Sequence, residues 1–336
     1  MKFALAAGFA LVALPLSVES LQFSVEKEDM ASCAWTIEST TETTSSTLTI
    51  MGDDKDIGSD ITSTRTFQIE LSDEYLDVDD EGVPTQIVRS YEALLSETSR
   101  DDNDTEVDSE LVGETVVFGY DADAEEWSAE YGEDSDGESD WLDGLTPRID
   151  LAGVLPDDDV DVGDTWEVPP SFLAGVLKPG GDMMVQASEE DDEPEEGSIQ
   201  ITLPGGNDFA IFEEFEGDIN AMLKEVVEED DTRLAKITVA VDVEADVDLI
   251  DQLEDKADDR GVDEAYEGAN LTRTLEGELT VMWNLETNRV VSLSGNLSGN
   301  TEVNVEWTSS SGDFELELAF ASATNESFEI EASFSD

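Results

Sequence analysis

Acidic side chains at every second position are the first residues in this sequence that could do chemistry. Asp77, Asp79 and Glu81 alternate and are followed by Gly82, which matches the first half of a calcium loop of the EF-hand type. The twelfth position of such a loop needs a bidentate Glu, but here it is Val88. The flanking residues alternate as strands do, whereas an EF-hand needs helices. The segment is therefore predicted to be a hairpin turn in which Gly82 has a positive φ, with a calcium site as the alternative.

His and Cys, which serve most often as catalytic bases, nucleophiles and zinc ligands, are almost absent from this sequence. The sequence has no His and a single Cys, Cys33, which excludes Ser-His-Asp and Cys-His catalysis, zinc sites built from Cys and His, and an intrachain disulfide. Carboxylate pairs alone can hydrolyse glycosides, but with 86 Asp and Glu residues such pairs arise by chance. We therefore predict a protein that is not an enzyme, with no cofactor. No catalytic, cofactor-binding or metal-ligating residue is assigned.

The charge balance limits the partners. The 15 Lys and Arg residues stand against 86 Asp and Glu residues, for a net charge of −71. Such a surface repels nucleic acid and anionic membrane surfaces, which leaves divalent cations or a hydrophobic small molecule as candidate ligands and does not specify a protein partner. Salt shortens the range of self-repulsion from about 10 Å at 0.1 M to about 3 Å at 1 M. The composition therefore predicts adaptation to salty surroundings.

The first twenty residues predict export. Lys2 precedes an apolar run over residues 3–16, and small residues allow cleavage after Ser20, which is the pattern of a Sec signal peptide and is too short to span a membrane. The sequence before Cys33 resembles the end of a lipobox, but charged residues 26–29 separate it from the apolar run. We therefore predict a periplasmic or extracellular protein that is neither membrane-spanning nor a lipoprotein, with Cys33 as a small buried side chain on a strand.

The mature chain is predicted to be mainly β. Five successive runs near the C-terminus alternate apolar and polar residues and are separated by Gly, Ser and Asn turns, which indicates an antiparallel meander. The predicted fold is a sandwich or a curved, half-barrel sheet with one or two helices packed on it. The main helix is predicted over residues 209–228 from apolar residues at helical spacing, and a shorter one over 249–259. Two domains or halves are predicted, 21–155 and 156–336.

Two segments carry a resemblance to a known group of proteins. Residues 155–166 have the pattern Leu-Pro, three variable residues, Val, one residue, Val-Gly-Asp, one residue, Trp, and residues 67–91 read as a strand, a Gly turn and a return strand with Arg89. Both resemble segments of uncharacterised exported bacterial β-rich proteins of the domain-of-unknown-function type. The resemblance implies export and β structure and brings no catalytic residues. Val160 and Val162 are expected to face the core, Gly163 to have a positive φ, and Trp166 to pack after it.

These observations predict a non-catalytic exported β protein of the bacterial cell envelope or medium. Its suggested role is a structural module or a module that binds a hydrophobic ligand. A calcium-dependent surface or adhesion module and a hydrolase that uses carboxylates alone are the two alternatives.

Overall fold

The computed structural model describes residues 21–58, 61–100, 103–133, 135, 137–181, 183, 214–229, 232–250, 252–254, 264–311 and 314–335. The predicted signal peptide, residues 1–20, lies outside this part of the chain. None of the described helices is long and apolar enough to cross a membrane.

A single antiparallel sheet of 13 strands dominates the protein. Along the sheet the order is β7-β6-β4-β3-β1-β13-β12-β11-β10-β9-β8, while β2 pairs with β1 and β5 pairs with β4. The mainly β, antiparallel prediction is confirmed. The strands are β1 Met30–Ile50, β2 Asp53–Asp56, β3 Ile61–Val78, β4 Pro84–Arg100, β5 Asn103–Asp108, β6 Thr115–Asp121, β7 Glu126–Tyr131, β8 Thr165–Glu167, β9 Glu216–Glu229, β10 Thr232–Asp248, β11 Glu264–Asn284, β12 Arg289–Ser311 and β13 Phe314–Ser335.

The first and last strands lie side by side in the middle of the sheet. β1 pairs with β3 on one side and with β13 on the other, from Ser32 opposite Ser335 to Ile50 opposite Leu318. Strands β1–β7 therefore occupy one side of the sheet and β8–β13 the other. The two predicted halves of the chain thus contribute to one continuous hydrogen-bonded sheet.

Alternation places one face of each long strand in the core. On β10 the apolar residues at every second position are all buried: Ile237, Val239, Val241, Val243, Ala245 and Val247. On β11, Leu275, Leu279, Val281 and Trp283 are buried in the same way. This is the pattern expected when one sheet face is covered and the other meets water, and it is the pattern that predicted these strands.

The helix predicted over 209–228 is wrong. Residues 209–213 lie outside the described part of the chain, and residues 216–228 belong to β9, with Ile219, Ala221 and Leu223 buried at every second position. Opposite β10 the register shifts, so that Ile237 pairs with Leu223 but Lys236 pairs with Glu225. This β-bulge at Lys224 moves the apolar positions by one residue. Across the bulge the apolar residues Leu223 and Val226 are three positions apart, which imitates the spacing of a helix.

Helices are short in the part of the chain that the structure describes. α1 spans Phe172–Leu177 and buries Phe172, Leu173 and Val176 against the core; the sequence analysis did not predict it. Residues 250 and 252–254 are also helical, and the N–H of Leu253 donates to the carbonyl of Leu249 at 3.0 Å. The predicted 249–259 helix is therefore confirmed at residues 250 and 252–254, while residues 251 and 255–259 lie outside the described part of the chain.

Glycines let β11 and β12 approach closely under a layer of leucines. Gly299 pairs with Leu275, Gly277 with Leu297 and Gly295 with Leu279. A methyl group on Gly299 would overlap the Thr274 carbonyl oxygen and lie 2.9 Å from the Leu275 side chain. Each glycine thus makes room for the leucine of the neighbouring strand.

Candidate functional site

The acidic segment from Asp77 to Gly82 forms the hairpin turn between β3 and β4. The Asp79 carboxylate accepts hydrogen bonds from the backbone N–H groups of Glu81 and Val83, both at 2.9 Å. Gly82 has φ +80°, and a Cβ there would lie 3.1 Å from the Cβ of Ser24. The hairpin prediction is confirmed, and the Asp79 carboxylate closes the turn. Among the described residues, no group of three or more His, Cys, Asp or Glu is arranged to hold a metal ion.

Residues 155–166, which carry the Val-Gly-Asp-x-Trp pattern, lead into β8 at the edge of the sheet. Gly163 has φ +100° as expected, and Trp166 packs against the core and donates from Nε1 to the carbonyl of Val154 at 2.8 Å. Val160 also contacts the core. Val162 was expected to face the core but is 45% exposed. It precedes the three-residue strand β8, where the backbone turns to pair with β9, so the alternation does not extend back to it.

A buried ion pair joins β3 and β4 to the segment that covers them. Arg89 donates to both carboxylate oxygens of Asp73, at 2.7 and 2.9 Å, and both residues are at most 1% exposed. Its remaining donors hold the carbonyls of Thr146 at 3.0 Å and Pro147 at 2.6 Å. Burial alone would lower the pKa of Arg89, but the charge of Asp73 and the hydrogen bonds to it raise the pKa above its usual value. Arg89 is therefore a fixed cation that anchors residues 146–147.

A second buried ion pair lies in the other half of the sheet. Arg273 on β11 donates to Glu326 on β13 at 2.5 Å, and the Thr301 hydroxyl between them donates to the same carboxylate at 2.8 Å. All three side chains are buried. Because these hydrogen bonds link three neighbouring strands, the cluster connects β11, β12 and β13 and has a structural role.

Cys33 lies inside the sheet on β1. Its side chain is 5% exposed, which confirms the prediction of a buried residue on a strand. Burial raises the pKa of the thiol to about 12, so the thiol is protonated at neutral pH and is a poor nucleophile.

A cleft opens beside Cys33, where several elements end together. Its volume is about 220 Å³, and it lies between the N-terminal segment, the start of β1, the β11–β12 turn and the end of β13. The apolar side chains in its lining are Phe23, Ile149, Val290, Val291 and Phe334, and the polar ones include Tyr75, Asp150, Thr287 and Arg289. An apolar cleft with a few convergent polar groups is the usual form of a small-molecule site.

The N-terminal segment, residues 21–29, forms one wall of the cleft. Leu21 and Val25 are buried in the core, and the N–H of Val25 donates to the carbonyl of Gly82 at 3.0 Å. Tyr75 exchanges backbone hydrogen bonds with this segment, accepting from Glu28 at 2.8 Å and donating to Asp29 at 3.0 Å. The wall is thus held to the β3–β4 hairpin.

Asp150 places a carboxylate in the cleft. The buried Ile149 precedes it, and Leu151 follows in the left-handed conformation with φ 53° and ψ 18°. This turn directs the N–H of Ala152 to the Asp150 carboxylate at 2.8 Å. Among the described residues this is the one hydrogen bond that Asp150 receives. Burial raises the pKa of the carboxyl, and the Ala152 N–H and the charge of Arg148 offset this only in part.

The other charged group of the cleft is already neutralised. Arg289 donates to the Asp29 carboxylate in a short ion pair and to the Met30 carbonyl at 3.3 Å. Its guanidinium also lies 5.9 Å from the centre of the Tyr75 ring. Arg289 therefore forms part of the cleft wall and joins β12 to the N-terminal segment.

Only part of this site could be predicted from the sequence. Arg89 was noted on the return strand of the hairpin, but nothing in the local pattern indicated its pairing with Asp73 sixteen residues away. Asp150 gave no signal, because it is one of 86 acidic residues. Its neighbours Ile149 and Leu151 are both apolar, and a lone acid between apolar residues outside a strand is the only local clue.

Comparison with known proteins adds little. Models of known protein families gave no match, and neither did the curated proteins. Among solved structures, the crystal structure of an outer membrane channel from Pseudomonas putida F1 aligns over 95% of this chain and 99% of that one, at 10% identity and a TM-score of 0.18. This similarity is too low to support an argument about fold or function.

Proposed function

We propose that this is an exported, non-catalytic β protein that binds a small hydrophobic molecule in the cleft beside Cys33. The observation that supports this most is the cleft itself, which has a volume of about 220 Å³ and is lined by mostly apolar side chains between the N-terminal segment and the β11–β12 turn. A dry engineered cavity of about 150 Å³ binds benzene, while sites for drug-sized ligands start at about 300 Å³. The expected ligand is therefore slightly larger than benzene.

The setting for this binding is proposed from the sequence. The apolar leader favours export through the Sec pathway, and the net charge of −71 favours a salty medium in the envelope or outside the cell. The calcium-dependent module and the carboxylate hydrolase remain predictions of the sequence, and no described geometry favours either of them over the cleft.

Binding can be tested on the protein expressed from the full chain and purified in high salt. Solvent extraction followed by mass spectrometry detects a molecule that co-purifies, and calorimetric titration with toluene, a neutral apolar probe slightly larger than benzene, detects an empty site. We expect a co-purified small molecule or saturable binding of the probe. Finding neither would overturn the proposed function.

A matched pair of variants locates the site. Val291 lines the cleft and Val303 does not, although both are half-buried on β12. Val291→Trp should fill the cleft and abolish probe binding, whereas Val303→Trp should leave it intact. Equal loss in both variants would place the binding elsewhere.

A further inference from the structure

We propose that the cleft selects small apolar molecules with a cationic head group, of which a primary alkylamine is the simplest, and that Asp150 receives the head group. This inference rests on the proposed function, since it assigns a ligand class to the same cleft. It is carried by the placement of one carboxylate among apolar walls and by the neutralisation of the charges around it.

The Asp150 carboxylate can accept a further hydrogen bond from a ligand. One carboxylate oxygen takes the Ala152 N–H at 2.8 Å, and in the described part of the chain no other donor bonds to this carboxylate. An ammonium group has three N–H donors and no acceptor, and the hydroxyl groups of Ser32 and Thr287 also lie in the lining. The polar part of the cleft therefore fits a donor-only head group.

The surrounding ionisable groups do not compete for the ligand. Arg289 is paired with Asp29, and Arg89 is paired with Asp73. Arg148 is exposed to solvent, and its charge offsets the effect of burial on the pKa of Asp150 only in part. Cys33 and Tyr75 remain neutral, because burial raises the pKa of both groups. Asp150 is the charge in the cleft that lacks a fixed partner in the described structure, and a carboxylate head group would meet repulsion there.

The apolar walls and the global charge favour the same ligand class. Phe23, Ile149, Val290 and Phe334 provide the surface for a short hydrocarbon chain, and burying each CH₂ of that chain strengthens binding. The net charge of −71 attracts cations from a distance at low salt. At 1 M salt this attraction is screened within about 3 Å, whereas a buried pair is screened much less. High salt therefore separates binding at Asp150 from general attraction to the surface.

Three ligands that share one chain length test the inference. Hexylamine, hexanol and hexanoate are titrated by calorimetry into the full-chain protein in 1 M NaCl at pH 7.5. We expect hexylamine to bind about tenfold tighter than hexanol or more, as for a hydrogen bond to a charged group, and hexanoate to bind weakest. If hexanol or hexanoate binds as well as hexylamine, the cationic preference is overturned while the proposed function stands. If none of the three binds, both fail.

Two variants assign the preference to Asp150. Asp150→Asn keeps an oxygen for the Ala152 N–H but removes the charge, and Asp143→Asn removes an exposed charge from the same segment. The preference for hexylamine over hexanol should vanish in the first variant and persist in the second. A preference that survives Asp150→Asn overturns the role of Asp150, and the comparison of the three ligands on the unmodified protein remains decisive if that variant does not fold.

Discussion

Arg89 and Asp73 show how a single side chain can link the core to the cleft. Arg89 uses one part of its guanidinium for Asp73 and the rest for the carbonyls of Thr146 and Pro147, three residues before Asp150. Breaking a buried pair leaves an uncompensated charge, whereas an exposed pair contributes little. The position of Asp150 therefore depends on an ion pair whose residues do not line the cleft.

Removal of Arg89 should destabilise the protein strongly. Arg89→Ala leaves the Asp73 carboxylate buried without its cation, and we expect the free energy of unfolding to fall by about 3–5 kcal/mol. Urea titration in 2 M NaCl measures the change. Lys27→Ala is the control, because Lys27 and Asp77 form an exposed pair at 3.5 Å, and the expected loss is below about 1 kcal/mol. Similar losses in both variants would contradict the structural role of Arg89.

Asp150 should be unfavourable for stability at neutral pH. Its pKa is raised in the folded protein, so the folded state binds its proton more tightly than the unfolded chain does. Stability then falls as the pH rises from the ordinary carboxyl value, about 3.9, through the raised value. Asp150→Asn should therefore raise the free energy of unfolding at pH 7.5 and have a smaller effect at pH 5, as followed by urea titration. A destabilised variant at pH 7.5 would show that the charge is compensated in the folded state.

The residues that sequence reasoning could identify were those with a local pattern. The Asp79–Gly82 turn follows from residue types alone, and so does the burial of Cys33 on an alternating strand. The pairing of Arg89 with Asp73 and the position of Asp150 depend on contacts between elements far apart in sequence. In a chain with 86 acids, an acid with an unusual environment cannot be told from the others by its type.

At the scale of elements, alternation was a reliable guide until a bulge interrupted it. β10 and residues 275–283 of β11 keep a period of two and were predicted as strands, whereas residues 264–270 of β11 were expected to form an acidic loop. β9 contains the bulge at Lys224, and its apolar residues matched a helix although the backbone is extended. A bulge is fixed by the partner strand as much as by its own residues, so the sequence of β9 by itself was ambiguous.

Gly299 should be irreplaceable where β11 and β12 meet. A methyl group there would overlap the Thr274 backbone, so Gly299→Ala must push the two strands apart, at a cost of about 1–3 kcal/mol. Gly268 on β11 is the control, because no atom lies within 4 Å of a Cβ placed there. Gly268→Ala should be neutral or stabilise by up to about 1 kcal/mol. Urea unfolding of both variants measures the difference, and equal values would contradict the close approach of the strands.

At the scale of the whole molecule, the charge is almost entirely on the surface. Among the described acids, Asp73 and Glu326 are buried, and each is paired with an Arg. Asp150 lies in the cleft. The described carboxylates on the exposed faces of the sheet repel one another, and their repulsion depends on salt.

Thermal stability should rise steeply with ionic strength. Between 0.1 and 2 M NaCl we expect a gain of about 2 kcal/mol, or roughly 5 °C in Tm, with a similar gain in KCl. Differential scanning calorimetry measures it. Calcium and magnesium at equal millimolar concentrations provide the control, and a saturating shift with calcium alone would favour the calcium-dependent module. A melting temperature that does not change with salt would contradict the predicted adaptation.

The pairing of β1 with β13 has a consequence for how the chain reaches this fold. β1 obtains its partner β3 early, but the partner on its other edge is β13, the strand of this sheet that lies furthest along the chain. Such pairing gives a high contact order, and folding of this kind is slow. Until β13 pairs with it, β1 has an unpaired strand edge, and such edges promote aggregation of incompletely folded chains. The high negative charge, which destabilises the folded protein by self-repulsion, then has a second effect. Electrostatic repulsion between incompletely folded chains opposes their aggregation through the open edge of β1 until β13 pairs with it.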